Sequence, residues 1–233
     1  MCSLFLTDFN SDADQMNSAD AAWTSLLEKC IAAGDKCGIS HLNETAAELE
    51  ETLNQVAEQF RINPVTVGDK VLTYPEILTL YYTMVKTPND LTTATTLLNN
   101  LITGENLTAV AEYFETLSDA VAIGNEALFG IKCSDTTARS SDLEGVMEEI
   151  EYATQSSKMF GVIQHAQAMA CAQWPFEAKE RYDGNFKVET PNPVLFIGNT
   201  YDAATDIVSA YGMSKLFAGS VVVEQKGYGV SLP

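Results

Sequence analysis

A serine that acts as a nucleophile requires a base that takes its proton and an acid that orients the base. The chain holds two histidines that could serve as the base, His41 and His165. His41 follows a loop between two cysteines and His165 lies in a predicted helix, and both positions are typical of surface or packed histidines. No Gly-x-Ser-x-Gly sequence, which would place a serine on a sharp strand–helix turn, occurs in the chain.

Ser40 and Ser214 each share part of that pattern. Ser40 lies in GISHL at residues 38–42, within the cysteine loop, and Ser214 lies in GMSKL at residues 212–216, inside a predicted helix. Neither follows a strand, so neither is predicted to be a nucleophile. We therefore expect the nucleophile and its oxyanion hole to be absent from this chain.

One aspartate follows the end of a predicted apolar strand. Residues 193–199 read PVLFIGN, a continuous apolar run that suits a strand buried on both faces of a parallel sheet. Asp202 follows, before a helix predicted at about residues 206–216, a second strand at residues 220–225 and Gly-Tyr-Gly at residues 227–229. The same position also suits a turn aspartate that caps the next helix.

The elements before this unit are predicted to be mostly helical. Apolar residues recur at helical spacing over residues 18–33, TAAE at residues 45–48 is a capping box, and residues 65–72 read as a hairpin with a Gly-Asp turn. Pro75 falls in the first turn of the next helix. Further helices are predicted at about residues 89–103, 108–120 and 141–172, the last opened by a capping box, SDLE. We thus predict an α/β protein with a helical domain at residues 1–185 and a strand–helix–strand unit at residues 186–233.

The charge balance limits the partners. Thirteen basic residues against 32 acidic ones give a net charge of −19, and such a surface repels phosphate backbones and anionic lipids. We therefore expect no nucleic-acid or membrane partner. No stretch approaches the roughly 18 consecutive apolar residues of a membrane span. The N-terminus lacks the basic segment and long apolar run of a signal peptide, which alone favours a cytosolic protein, whereas sequons at Asn43 and Asn106 favour a secreted one.

The cysteines leave several possibilities open. Their odd number means that at least one is unpaired or paired outside the chain. Cys30 and Cys37 are close enough to bridge a helix end and the following loop, worth ~2–3 kcal/mol, or they are two buried thiols. No Cys/His grouping has the spacing of a metal site, so we expect no metal and no other cofactor. The five cysteines are Cys2, Cys30, Cys37, Cys133 and Cys171.

Several motifs resemble one family. IGNTYDAAT at residues 197–205 resembles the α/β-hydrolase segment that carries the acid of the Ser–Asp–His triad, and more narrowly the C-terminal domain of tripeptidyl-aminopeptidase-like (TAP-like) serine peptidases. That family continues with a helix, a Val-rich strand and a Gly-Tyr-Gly-His turn. CAQWP at residues 171–175 and IKCSD at residues 131–135 are similar to its Cys-x-x-Trp-Pro and Ile-x-Cys-x-Asp. The resemblance covers nearly the whole chain and is closest in its C-terminal part.

The resemblance implies a partial α/β-hydrolase fold, in which a large helical lid precedes the last strand–helix–strand of the parallel sheet. It implies that Asp202 is the triad acid. Where the family has the catalytic histidine after Gly-Tyr-Gly, this chain has Val230, which cannot move a proton.

The resemblance also bears on the cysteines and the location. It implies a disulfide between Cys133 and Cys171, and it places Cys30 and Cys37 in a paired-cysteine loop. Because the family is secreted, it implies an extracellular parent protein.

Two parallel strands alone cannot make a stable, doubly covered sheet, so further strands and helices are required. We expect them upstream of Met1. Val230 and Ser231 match an in-frame reading of the usual 5′ splice sequence, which favours a truncated gene model, and loss of catalysis in the lineage is the alternative. Alone, the chain is expected to expose residues 194–197 and 221–223 at sheet edges and to aggregate.

The sequence therefore predicts a fragment of a secreted serine hydrolase whose full-length parent cleaves short peptides from the N-termini of its substrates. The chain alone is predicted to be inactive. An esterase acting on a small ester is one alternative, and a non-catalytic helical binding module is another. Four acidic lid residues are candidates for holding a substrate's α-amino group, although most such residues are simply solvated: Glu112, Glu115, Glu148 and Glu149.

Overall fold

The computed structural model describes residues 16–87, 91–182 and 184–230, without the side chains of residues 117–125. The described residues form two compact units, one of residues 21–124 and one of residues 16–20 with residues 125–230. The chain passes between the units twice, each time inside a helix. The predicted boundary at residue 185, between a mostly helical lid and a strand–helix–strand unit, stays a prediction. Among the described residues, no helix is long and apolar enough to cross a membrane.

The first unit is helical apart from one hairpin. The Gly-Asp turn joins two short antiparallel strands, as predicted. Thr45 forms a capping box with Glu48, and Thr73 forms one with Glu76, so both predicted helix starts are confirmed. The elements are α1 (Ala19–Ala33), α2 (Ala46–Ile62), β1 (Val65–Val67), β2 (Lys70–Leu72), α3 (Tyr74–Lys86), α4 (Leu91–Thr103) and the first part of α5 (Leu107–Asp135).

The core of this unit is built around two aromatic rings. Tyr81 stacks on Trp23 with ring centroids 5.1 Å apart, and its hydroxyl donates to the carbonyl oxygen of Leu53 at 3.0 Å. Burial raises the pKa of the Tyr81 hydroxyl far above its ordinary value, so the phenol keeps the proton that it donates. Cys30 and Cys37 form a disulfide, which we call the short disulfide, and it closes the loop after α1.

The second unit combines helices with a small parallel sheet. A disulfide between Cys133 and Cys171, which we call the long disulfide, joins the end of α5 to the end of α7. This is the pair that the family resemblance implies. The elements are the last part of α5, α6 (Met147–Ser156), α7 (Gly161–Ala172), β3 (Leu195–Tyr201), α8 (Ile207–Ser214) and β4 (Val221–Tyr228).

Two of the predicted helices differ from the structure. The helix predicted at residues 108–120 continues to Asp135, because residues 121–135 contain no proline and their two glycines cost the helix only about 1 kcal/mol each. The helix predicted at residues 141–172 is divided into α6 and α7. The predicted capping box at its start is absent. Instead, the Asp142 carboxylate accepts the backbone N–H of Gly145 at 3.0 Å, and a 3-10 turn leads into α6.

The break between α6 and α7 is made by a residue from the start of α1. The Asp20 carboxylate accepts the backbone N–H groups of Lys158 at 2.8 Å and Met159 at 3.2 Å, and the Ser157 hydroxyl also donates to it. These bonds satisfy donors that would otherwise be left unpaired at the start of α7. Gly161 then permits a close approach, since a β-carbon there would lie 2.1 Å from the carbonyl oxygen of Ala153.

The small sheet is covered on one face by α8. Strands β3 and β4 pair in parallel, as predicted, with Leu195 opposite Val221 and Ile197 opposite Val223. Gly198 allows the helix to lie close to β3, because a β-carbon there would lie 2.7 Å from the side chain of Ile207.

The other face of the small sheet is apolar and open. Its side chains are 46–55% exposed in the structure, whereas Val194, Phe196 and Val222, which the prediction also included, are half-buried. We call this surface the open sheet face, and it consists of Leu195, Ile197, Val221 and Val223.

Candidate functional site

The candidate site lies at the carboxyl edge of the small sheet. Because β3 and β4 are parallel, both strands end at the same edge, and Tyr201 pairs there with Tyr228. The two tyrosine rings stack with centroids 4.8 Å apart. Asp202 follows the first strand, and Gly229 and Val230 follow the second. The fold therefore brings Asp202 and the Gly-Tyr-Gly turn to one edge.

The carboxylate of Asp202 is held by its own turn. The residue is 3% exposed. Oδ1 accepts the backbone N–H groups of Ala204 at 2.9 Å and Thr205 at 2.7 Å, and Oδ2 accepts the Thr205 hydroxyl. A carboxylate offers about four acceptor positions, so these three bonds leave about one, on Oδ2. The turn thus fixes the carboxylate and leaves one position for a further donor.

The segment after β4 is tied to β3 by two hydrogen bonds. The side-chain amide of Asn199 donates to the carbonyl oxygen of Gly229 at 2.9 Å, and the N–H of Gly229 donates to the carbonyl oxygen of Tyr201 at 3.1 Å. Val230 is the next residue and is half-buried. The backbone just before Val230 is therefore held beside the end of β3, and Val230 has a side chain without a proton to exchange.

Asn199 ties the two strand ends together, a role that its place in the IGNTYDAAT motif does not predict. It is 3% exposed, although it lies two residues after Ile197 and therefore on the same side of β3 as the open sheet face. The available signal was an amide inside an otherwise apolar strand, because a buried amide needs hydrogen-bond partners.

The capping role considered for Asp202 belongs to another residue. Asp206 is the N-cap of α8, and its carboxylate accepts the N–H of Val208 at 3.1 Å. The Ser18 hydroxyl also donates to this carboxylate, across 188 residues of sequence. Asp202 stabilises the turn before the helix, and Asp206 stabilises the helix itself.

The other residues considered for chemistry have structural partners. The Ser40 hydroxyl donates to the carbonyl oxygens of Gly34 at 2.7 Å and Cys37 at 3.0 Å, within the cysteine loop. Ser214 is hydrogen-bonded to Ser220 in the turn after α8. Neither serine starts a helix after a strand, so neither has the backbone setting of a nucleophile.

The two histidines are also placed away from any serine partner. His165 on α7 is hydrogen-bonded to Thr154 at 3.0 Å. His41 lies in a short 3-10 turn. In the part of the chain that the structure describes, neither histidine forms a hydrogen bond with a serine, and the structure therefore brings none of the sequence's bases to a nucleophile.

A polar group on the α8 side of the sheet is exposed. Thr200 and Tyr211 each donate a hydroxyl to Glu224 at 2.8 Å. The bond from Thr200, followed by the bond from Tyr211, lowers the pKa of the Glu224 carboxyl, and the same contact raises the pKa of Tyr211. These groups hold β4 against α8 and lie on the face opposite to the open sheet face.

A comparison with known families bears directly on the β3–α8–β4 unit and its acidic turn. Residues 157–232 match the TAP-like protein family. This family is one of the α/β-hydrolases, and the matched residues, hereafter the TAP-like segment, contain α7, the small sheet and Asp202. No curated protein matches the chain. The match agrees with the family that the motifs indicate, and it lies wholly within the second unit.

Proposed function

We propose that this chain is the acid-bearing part of a serine hydrolase that cleaves short peptides from the N-termini of peptide substrates. The observation that carries the proposal is the buried carboxylate of Asp202, fixed by its own turn at the edge where Val230 follows. In a serine–histidine–aspartate triad, the acid holds the histidine in one tautomer and stabilises the imidazolium. The open acceptor position on Oδ2 suits that single N–H donor.

In this proposal the serine and the histidine come from polypeptide outside this sequence. The chain has no Gly-x-Ser-x-Gly, and Val230 occupies the position of the base. The open sheet face supports the proposal, because strands of a parallel sheet are normally covered on both faces. The chain alone is therefore expected to show no reaction with a fluorophosphonate probe.

We also propose an extracellular location for the parent protein. The two disulfides are of the kind that persists in oxidising compartments. Asn106 is exposed and stands just before α5, whereas Asn43 is half-buried. Of the two sequons, Asn106 is therefore the better candidate for a glycan.

The test is the protein translated from the complete transcript. We expect it to carry a serine on a strand–helix turn and to release a tripeptide from a chromogenic tripeptide anilide. Asp202→Asn is expected to lower kcat by up to about 10⁴-fold, since the amide no longer selects the required histidine tautomer. Asp69→Asn in the exposed hairpin turn is the matched control and should leave kcat unchanged.

The alternatives give different results. Hydrolysis of nitrophenyl esters without cleavage of the tripeptide anilide would keep the hydrolase and overturn the peptide substrate. A complete protein without any serine on a strand–helix turn, or one whose activity survives Asp202→Asn, would overturn the triad proposal.

A further inference from the structure

A polar cleft in the second unit is separate from the Asp202 turn. It encloses about 300 Å³ between the end of α5 and the loop after α7. The walls carry hydroxyl groups, two guanidinium groups and one carboxylate. The residues that line it and bear on its chemistry are Ser134, Thr136, Thr137, Arg139, Glu177 and Arg181.

The two walls of the cleft are firmly joined. The long disulfide ties the end of α5 to the end of α7, and its Cys133 is the residue before Ser134 in the cleft wall. The indole N–H of Trp174 donates to the Ser134 hydroxyl at 3.2 Å, and the N–H of Ser140 donates to the carbonyl oxygen of Ala172 at 2.9 Å. A cleft that is already formed does not have to be ordered when a ligand binds, which favours affinity.

Arg139 acts as part of the wall. Its guanidinium donates to the carbonyl oxygens of Cys133 at 2.7 Å and Ala138 at 2.8 Å, with longer bonds to those of Thr136 and Phe176. These bonds fix the side chain and leave its positive charge in the cleft. Arg139 therefore supplies a fixed positive charge, while its guanidinium N–H groups are largely used within the wall.

Arg181 is different. It forms no hydrogen bond or ion pair with any residue that the structure describes, so its planar fork is available to a carboxylate. The chain has only three arginines and a net charge of −19, and two of the three line this one cleft. A positively charged recess on so acidic a protein favours an anionic group at this place.

Glu177 limits the choice of ligand. It lines the same cleft, and in the described part of the chain it pairs with neither arginine. A carboxylate and a guanidinium that line one cleft, and that pair with no other described residue, suit a ligand that carries both charges. We propose that this cleft binds small zwitterions with a free carboxylate and a free amino group, such as an amino acid or a short peptide, with Arg181 on the carboxylate and Glu177 on the ammonium.

The two tryptophans provide a built-in assay. Trp174 touches the cleft wall through Ser134, whereas Trp23 lies in the core of the other unit. In an NMR titration of the full chain with alanyl-alanine, the indole N–H signal of Trp174 should shift and saturate while that of Trp23 stays in place. The amidated dipeptide, which lacks the carboxylate, should cause no shift, and the N-acetylated dipeptide should bind several-fold more weakly.

The variants separate specific binding from general charge. Arg181→Gln should weaken dipeptide binding about tenfold, as expected for the loss of a charge-assisted pair. Lys179→Gln removes the same charge from an exposed neighbour outside the cleft and should change the Kd by less than about twofold. In Glu177→Gln, the acetylated and free dipeptides should bind equally, whereas Glu180→Gln should keep the difference.

Titration with free alanine distinguishes a site for amino acids from one for peptide ends. The proposal fails if none of the zwitterions shifts the Trp174 signal at millimolar concentration, if the amidated dipeptide binds as well as the free acid, or if Lys179→Gln weakens binding as much as Arg181→Gln. Because binding requires no nucleophile, these results are independent of whether the parent protein proves to be a hydrolase.

Discussion

Replacing Val230 with histidine tests whether Asp202 is placed to orient a catalytic base. The substitution would put an imidazole at the residue that follows Gly229, whose carbonyl oxygen and N–H are bonded to β3. Neighbouring strands lie about 5 Å apart, and we take about 6 Å as the expected separation of the imidazole and the carboxylate. The expected result is a raised pKa for the introduced imidazole.

The magnitude follows from this separation. At about 6 Å and an effective dielectric constant of about 20, the attraction between imidazolium and carboxylate is about 3 kcal/mol, or about two pKa units. Half-burial of the site opposes the charged form and reduces this gain. We therefore expect the pKa to rise by about one unit or more above the ordinary value of about 6.5.

The shift also has a consequence for stability. Because the pKa in the folded state is raised above that in the unfolded state, the pair stabilises the fold fully below about pH 6.5, and this contribution is lost as the pH rises through the folded-state pKa. Chemical denaturation should therefore show a larger free energy of unfolding for the variant, relative to the parent chain, below about pH 6.5 than above the folded-state pKa.

The assay is an NMR titration of the histidine ring signals of Val230→His. His41 and His165 give two internal reference signals in the same spectrum, and the introduced ring supplies the third. Adding Asp202→Asn, which keeps the shape of the side chain but removes its charge, should return the third pKa to about its ordinary value. A third ring that titrates at or below about pH 6.5, or a raised pKa that survives Asp202→Asn, would refute the placement of the acid.

Three further predictions concern stability and solubility. Asp20→Ala should lower the free energy of unfolding by about 1–2 kcal/mol in chemical denaturation, because three donors before α7 lose their acceptor, whereas Glu28→Gln on the exposed side of α1 should have little effect. Replacing both cysteines of the long disulfide, which spans 38 residues, with serine should lower the free energy of unfolding by about 4 kcal/mol. The same change at the short disulfide, which spans 7 residues, should lower it by about 2 kcal/mol, and chemical denaturation should show this order. Val223→Lys puts a charge on the open sheet face and should reduce self-association in sedimentation velocity. Val71→Lys in the exposed hairpin should not reduce it, and equal effects of the two variants would show that the open sheet face does not drive association.

The sequence predicted best those features that depend on neighbouring residues. The capping box at Thr45, the proline-opened helix α3 and the Gly-Asp hairpin follow from local spacing, and each is present. The parallel pairing of β3 with β4 was also predictable, because a short helix between two apolar strands favours a crossover.

Features that depend on distant residues were not predictable from local patterns. Residues 141–172 have a continuous helical pattern, but the helix breaks where Asp20 reaches the backbone of Lys158, 138 residues away. The cleft is a second case. Arg139 and Arg181 belong to no motif, and only the folding of the chain around the long disulfide places them in one recess.

At the candidate site, the motif indicated Asp202, but it did not show what holds the Asp202 carboxylate in place when no histidine follows Gly229. Three hydrogen bonds from Ala204 and Thr205 hold the carboxylate, and none of them involves residue 230. The bonds from Asn199 and to Tyr201 involve the backbone of Gly229 and are equally independent of the next side chain. A valine at residue 230 is therefore compatible with both sets of hydrogen bonds. In the proposed triad, the acid would stay in position whether catalysis is lost or its base is supplied by other polypeptide, because the turn that contains Asp202 is stabilised by its own residues.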